Sequence, residues 1–391
     1  MIDNLDKNKC TGCSACYNIC PKECITMKTD NEGFWYPNID KNKCINCNLC
    51  EKVCPIINPV RRNDSKKLAY VGMNKDEQVR IKSSSGGIFS ILAEYIIKNN
   101  GIVYGAAFDE AFNINHKRIL VSTDLDLLRG SKYVQSSIGD IYKQVKNDLE
   151  SNRNVLFTGS PCQVEGLRSY LRKEYVNLIT MDFICHGVPS PLVWKKYLEE
   201  MKKSKQENIK NIYFRNKDFG WKLFSLKIIF DKRIYSNDLS NDLFMKGFLQ
   251  DVYLRPSCYA CKFKKINRIS DITVADFWGI ENVLPKMDDD KGTSLIVIHS
   301  EKGKQLFDKL SEKMIFDEVN LNEAIKYNSS MIRSVKYNEK REKFFLELNS
   351  EKNLIDLLSR YTRLSFSVKL KNKIKMGIKK LINYNGRRTR N

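Results

Sequence analysis

The sequence predicts a small α+β domain, then a mixed α/β domain, then a helical basic C-terminal tail. Three observations predict this order: a cysteine run that occurs twice between residues 10 and 55, a strand–loop–helix alternation that starts near Leu68, and a last segment with lysine and arginine but no acid. A chain of 391 residues is long for one core, and a hydrophobic content of 42% supports folding.

The first domain rests on Cys10-Thr-Gly-Cys13-Ser-Ala-Cys16-Tyr-Asn-Ile-Cys20-Pro21 and Cys44-Ile-Asn-Cys47-Asn-Leu-Cys50-Glu-Lys-Val-Cys54-Pro55. Both read C-x2-C-x2-C-x3-C-P, lie 34 residues apart and follow Asp-Lys-Asn-Lys. This is the bacterial two-cluster ferredoxin pattern, so residues 1–60 are expected to form an α+β ferredoxin-type domain with two 4Fe–4S clusters. Three thiolates of one loop ligate one cube, and the fourth cysteine reaches the other. Cys10, Cys13, Cys16 and Cys54 are therefore assigned to one cluster, and Cys20, Cys44, Cys47 and Cys50 to the other. Zinc is the alternative, but it favours two separated pairs over triples at three-residue spacing. Cys24 falls outside the pattern and reads as a packed thiol. Between the runs, Ile25 to Pro37 reads as a hairpin turning at residues 30–33.

Thirteen cysteines with nine in or beside these motifs, and no apolar leader in Met1-Ile-Asp-Asn-Leu-Asp-Lys, suggest reduced, metal-bound cytoplasmic thiols rather than disulfides. No 18-residue apolar run exists, so no spanning helix is expected. The formal charge is +21, which would suggest nucleic acid. It is uneven: residues 1–60 carry seven acids and seven lysines, whereas residues 363–391 carry ten Lys or Arg and no acid. A nucleic-acid partner is therefore not expected for the body.

Residues 61–67 read as a polar linker. In the second domain, placed at residues 68–330, strands are expected at 69–73, 102–108, 118–121, 155–158, 178–184, 212–215, 223–230, 272–275 and 295–299. Helices are expected at 86–98, 140–149, 162–172, from Pro191 to 201, 242–250 and 302–313. Alternation of this kind argues for a mixed or mainly parallel sheet whose ligands gather at strand C-termini. Residues 331–391 are expected to be a basic helical tail. Leu370, Ile374, Ile378, Leu381 and Ile382 share one face, either of a solvated helix or of one that meets a partner or lipid surface.

Four cysteines remain. Cys162 follows a strand, Cys185 ends one, and Cys258 and Cys261 form a C-x2-C. Spacing leaves iron–sulfur, zinc and unbound or catalytic thiols all open. His186 beside Cys185 invites a Cys–His nucleophile, yet neighbours on an extended segment point to opposite faces. His116 and His299 read as ordinary strand-associated residues. No G-x-G-x-x-G follows a strand, so no Rossmann site is expected.

Ser84-Ser-Gly-Gly-Ile-Phe-Ser, Gly130-Ser-Lys-Tyr-Val-Gln-Ser, Gly159-Ser-Pro-Cys-Gln-Val-Glu-Gly-Leu-Arg, Cys185-His-Gly-Val-Pro-Ser and Ser270-Asp-Ile-Thr-Val-Ala-Asp-Phe-Trp-Gly together resemble the coenzyme F420 hydrogenase/dehydrogenase beta-subunit family, over roughly residues 68–330. The resemblance implies FAD and further iron–sulfur, favouring a third cluster over zinc at Cys162, Cys185, Cys258 and Cys261. It implies FAD contacts from Ser83, Ser84, Ser85, Gly86 and Gly87, from Lys132, Tyr133, Gln135 and Ser136, and from Gly159 and Ser160. A glycine-rich helix start also has free N–H groups for a pyrophosphate. His186 and Asp276 are the candidate proton donors. Such a protein would take electrons from a donor such as ferredoxin and deliver them through FAD to an organic acceptor, either coenzyme F420 or a glycan precursor in polysaccharide biosynthesis. The alternative is a non-catalytic electron-transfer subunit of a larger redox complex. A peripheral membrane or partner contact is assigned to the tail.

Overall fold

The computed structural model describes residues 2–60, 67–203, 207–351 and 353–363. The expected linker, apart from Lys67, and the apolar face of the tail lie outside the described residues.

The N-terminal unit has two short helices, Ala15–Ile19 and Leu49–Lys52, and the hairpin β1 (Ile25–Thr29) and β2 (Trp35–Ile39). The strands pair antiparallel from Ile25↔Ile39 to Thr29↔Trp35. The Asp30 carboxylate accepts from the Glu32 and Phe34 amides at 3.0 Å each, which closes the turn locally. The turn is seated on the rest of the chain. Arg341 forms a two-pronged ion pair with Glu32, one contact at 2.8 Å, and the Ser190 hydroxyl donates to the Glu32 carbonyl.

The body is built on an eight-stranded mixed sheet in the order β13-β3-β12-β11-β7-β6-β4-β5. The strands are β3 (Leu68–Asn74), β4 (Ile102–Phe108), β5 (Ile114–Ile119), β6 (Val155–Thr158), β7 (Leu178–Phe183), β11 (Ile272–Asp276), β12 (Ser294–Ile298) and β13 (Met314–Glu318). The central β4, β6, β7 and β11 run parallel, with antiparallel strands on both flanks. Val155, Leu156 and Phe157 of β6 are all fully buried, as expected of a strand covered on both faces. A separate antiparallel sheet joins β8 (Ile209–Asn216), β9 (Ser225–Phe230) and β10 (Ile234–Asp238). The mixed α/β class read from the sequence is the class observed.

Three differences are physical. The strand expected at 118–121 is β5, four residues earlier at its start, because the Asp109 carboxylate takes the Ala111 and Asn113 amides and turns the chain back at once. Strands β10 and β13 were not anticipated; each is an edge strand with few buried residues and no apolar alternation. Helices Arg341–Leu348 and Leu354–Thr362, inside the segment read as tail, pack Phe344, Leu357 and Leu358 fully buried in the largest core cluster.

Candidate metal centres

The first cysteine loop makes its turns with Gly12 and Ser14 at positive φ, and the second uses Asn46 and Asn48. Residues that tolerate the left-handed region wrap each loop tightly enough to aim three sulfurs inward. The result is two cavities. One, of about 350 Å³ including its mouth, is lined by Cys10, Cys13, Cys16 and Cys54. The other, of about 430 Å³, is lined by Cys20, Cys44, Cys47 and Cys50, with Cys24 in its wall. The exchange of the fourth cysteine between loops is thus present in the geometry. The two cavities differ in exposure. Cys10, Cys16 and Cys54 are buried, whereas Cys47 is exposed. Burial and neighbouring thiolates push the Cys13 thiol up to about 12. Cys24, buried and with its sulfur 3.3 Å from that of Cys20, is pushed up to about 12 as well.

Cys162, Cys185, Cys258 and Cys261 come together from three chain segments around a third cavity of about 460 Å³. Pro161 starts the helix Pro161–Leu171 and Gln163 Oε1 takes the Ser160 amide at 3.0 Å, which fixes Cys162 in the first turn. Cys185 follows the C-terminal end of β7, where ligands of parallel strands gather. The Ser160 hydroxyl lies 3.2 Å from Cys162 Sγ. Lys264 donates to the Cys185 carbonyl and to the His186 carbonyl, the latter at 3.1 Å, and Lys264, Arg255 and Arg268 all line the cavity. Burial pushes the Cys185 thiol up, and the Lys264 and Arg268 charges oppose that. The buried Ser257 hydroxyl lines the same cavity and has no hydrogen-bond partner among the described residues.

Tetrahedral zinc, with sulfur at about 2.3 Å, draws its thiolates around a single ion, and among the described residues no three Cys, His, Asp or Glu side chains are grouped that closely. Four thiols around a cavity, ringed by cations and an orphaned hydroxyl, fit an anionic iron–sulfur cube.

The flavin candidates divide. Ser84 Oγ accepts from the Ser131 amide at 2.6 Å, and the Ser84 and Ser85 carbonyls accept from Arg215 and Lys217 at 3.3 and 2.9 Å. The Gly86 amide is spent on Ser294 Oγ at 2.9 Å, and a Cβ on Gly86 would stand 2.4 Å from the Gly72 carbonyl. That glycine is required for close packing against β3. Ser83 bonds the Val79 carbonyl at 2.7 Å, and Gly87, at φ 82, begins the helix Ile88–Lys98. Among the described residues Lys132 donates only to the carbonyls of Leu128, Arg129 and Gly130, and Lys217 only to those of Arg80, Ser85 and Lys291. Burial pushes both ammonium groups down to about 7. Each ammonium thus has its three N–H groups engaged by carbonyls.

Tyr133 is stacked on Phe248 at 4.9 Å. Gln135 and Ser136 are buried and already engaged, the first by Arg255 and Thr11, the second by His116 and Gln163. Gly159 donates its amide to the Met181 carbonyl at 3.2 Å. His116, buried between Ser136 and the Thr158 carbonyl, is pushed down to about 4 and stays neutral.

The two proton-donor candidates lie in different surroundings. His186 lines the third cavity and pairs with Asp251 at 2.7 Å. Asp276 ends β11, where Arg215 and Trp221 Nε1 each donate to it at 2.8 Å. Arg215 lies over Phe224 at 3.8 Å and near Trp278, which stacks on Trp221 at 5.1 Å. Sequence reasoning missed Thr11, Arg215, Lys217, Arg255, Lys264 and Arg268. For Arg255 and Lys264 the signal was present: each stands three residues from a cysteine of the C-x2-C.

Residues 9–56 match the model of the 4Fe-4S dicluster domain, and residues 152–324 match that of the C terminus of the coenzyme F420 hydrogenase/dehydrogenase, beta subunit. Among curated proteins no relative matches. Among solved structures, a chain described under xenon derivatization of the F420-reducing NiFe hydrogenase complex from Methanosarcina barkeri is similar at 16% identity and a TM-score of 0.45, covering 74% of this chain and 95% of that one. The chain therefore combines a match to the 4Fe-4S dicluster domain near its N-terminus with a match to the C terminus of the coenzyme F420 hydrogenase/dehydrogenase beta subunit over residues 152–324.

Proposed function

We propose that the chain is an iron–sulfur flavoprotein oxidoreductase that passes electrons from its ferredoxin-type domain through FAD to an organic acceptor. The observation that carries this reading is the sorting of twelve cysteines, four by four, around three separate cavities. When bound, 4Fe–4S clusters accept and release single electrons, and FAD turns such a supply into two-electron chemistry.

The residues have distinct tasks. The twelve cysteines supply thiolates. Burial of Cys10, Cys16 and Cys54 keeps water from the inner centre. Lys132 and Lys217 hold positive charge where an anionic cofactor would sit, and the Ser83–Gly87 turn presents the start of a helix. His186 can hold a proton at Nε2, oriented by Asp251, and Arg215 holds Asp276 in place. The electron donor is a ferredoxin-like protein. The acceptor is coenzyme F420 or a small glycan precursor in polysaccharide assembly. The site of work is cytoplasmic, and the basic tail provides a peripheral membrane or partner contact. No helix among the described residues is long and apolar enough to cross a membrane.

A second reading, an electron-transfer subunit without flavin, is favoured by the engagement of Gln135, Ser136 and the Gly86 amide within the protein. Anaerobic purification separates the two. The first expects about twelve irons and twelve sulfides per chain, with FAD reduced when a low-potential donor is added. Full iron without flavin supports the second. Zinc without sulfide overturns both.

A further inference from the structure

Arg255 belongs to two of the cavities at once. Its backbone is part of the third: its amide donates to the Val188 carbonyl at 2.9 Å, its carbonyl accepts from the Cys258 amide at 2.9 Å, and the residue lines that cavity. Its side chain, whose charge also opposes the rise of the Cys258 thiol, extends to the first cysteine loop. Nε donates to the Cys10 carbonyl at 2.8 Å, Nη2 lies 3.8 Å from Cys10 Sγ and donates to the Trp35 carbonyl at 3.0 Å, and Nη1 donates to Gln135 Oε1 at 3.0 Å. The guanidinium lies 4.3 Å from the centre of the Tyr36 ring. The residue is wholly buried, and among the described residues no carboxylate pairs with it.

A guanidinium cannot shed its proton, and a buried cation without a counter-ion is costly. The neutral carbonyls around Arg255 orient it but do not cancel its charge. What it faces is a cysteine sulfur of the inner cavity. Among the described residues the other ferredoxin-type cavity has no such group; the cation in its wall is Lys22, which is exposed and screened by water. Thr11 lines both the Cys10 cavity and the third cavity, so these two adjoin.

We propose that Arg255 is the counter-cation of the centre held by Cys10, Cys13, Cys16 and Cys54, and that it raises this centre's reduction potential above that of its twin. Arg255 is thus a positioning residue: it holds the wall shared with the third cavity and fixes one full charge beside the added electron. No bond forms or breaks. The centre gains one electron from an external reductant, and Arg255 takes up no proton. The inference rests on the iron–sulfur reading given above.

The test is an anaerobic redox titration of the full, cluster-loaded chain followed by electron paramagnetic resonance, with the Cys10 centre assigned through Cys13→Ser. Arg255→Met should make that centre harder to reduce. At a fixed poise near its midpoint its reduced-to-oxidised ratio should fall about tenfold, which is about 59 mV for one electron. Arg255→Lys should recover most of the loss, and the twin should move less. A fully loaded Arg255→Met protein with an unshifted Cys10 centre overturns the proposal. So does Arg255→Lys behaving like Arg255→Met. Should Arg255→Met fail to fold, the wild-type chain grown with 15N-arginine decides: pulsed spectra of the reduced Cys10 centre should show a coupled arginine nitrogen, and none overturns the assignment. A sulfide-free preparation overturns the iron–sulfur reading itself, whereas an inert Arg255 in a loaded protein overturns only this step.

Discussion

At the scale of single residues, the lysines beside the Ser83–Gly87 turn make the sharpest statement. Burial brings Lys132 and Lys217 down to about 7 from an ordinary value near 10.4. An anion binding there restores the charge and takes up protons, so flavin affinity should be highest below pH 7 and fall as pH rises to 8.5. Lys132→Met should weaken FAD binding about tenfold at pH 6.5 and flatten the profile, measured by flavin fluorescence. Linkage works in the opposite sense on the flavin-free fold. Between about pH 7 and 10 the unfolded chain holds more protons on these lysines, so their contribution to stability rises with pH. Legibility at this scale depends on distance along the chain. The grouping of the cysteines was readable because each loop is local and its spacing encodes its geometry. Arg255 was not, since its main contact lies 245 residues away in sequence. Gly86 was misleading: a glycine that opens a helix can serve a phosphate or a close packing contact, and here the neighbouring strand takes the space.

At the scale of elements, the helix Pro161–Leu171 carries Cys162 at one end and receives the first cysteine loop along its side. A Cβ at Gly166 would stand 2.9 Å from Cys13 Cβ and 2.9 Å from the Tyr142 hydroxyl. Gly166→Val should therefore cost about 1–3 kcal/mol through overpacking and lower iron content at the Cys10 centre more than at the Cys44 centre. Iron analysis combined with spin quantitation checks both. Elements buried on both faces were legible because their apolar runs are continuous, as in β6 and β12. Edge strands β10 and β13 were not, because one side meets solvent and the apolar signal is diluted. The helices at 341–362 were expected as helix but assigned to a basic tail rather than to the core. The basic composition of the last segment concealed Phe344, Phe345, Leu348, Leu354, Leu357 and Leu358, which share the largest core cluster.

At the scale of the whole molecule, the two-domain order was legible from the change of pattern near Leu68, but the way the parts join was not. The join runs through the hairpin turn, where Arg341, with a side chain 5% exposed, pairs with Glu32. Arg341→Met leaves the Glu32 charge partly buried and unpaired, and should cost about 3 kcal/mol in anaerobic denaturation of the loaded protein. Glu32→Met should cost at least as much, because the cation it abandons is the more buried partner. The unequal shelter of the twin centres has its own outcome in air. Cys47 is open to solvent while Cys10, Cys16 and Cys54 are enclosed, so dioxygen and chelators reach the twins on different schedules. Brown colour should bleach in steps, the Cys44 centre fading well before its enclosed neighbour, and stopped-flow absorbance in aerated buffer would resolve the phases. A half-bleached preparation would still look like an iron–sulfur protein yet have lost its most accessible entry point for electrons, so aerobic handling would disguise its competence long before destroying its cofactors.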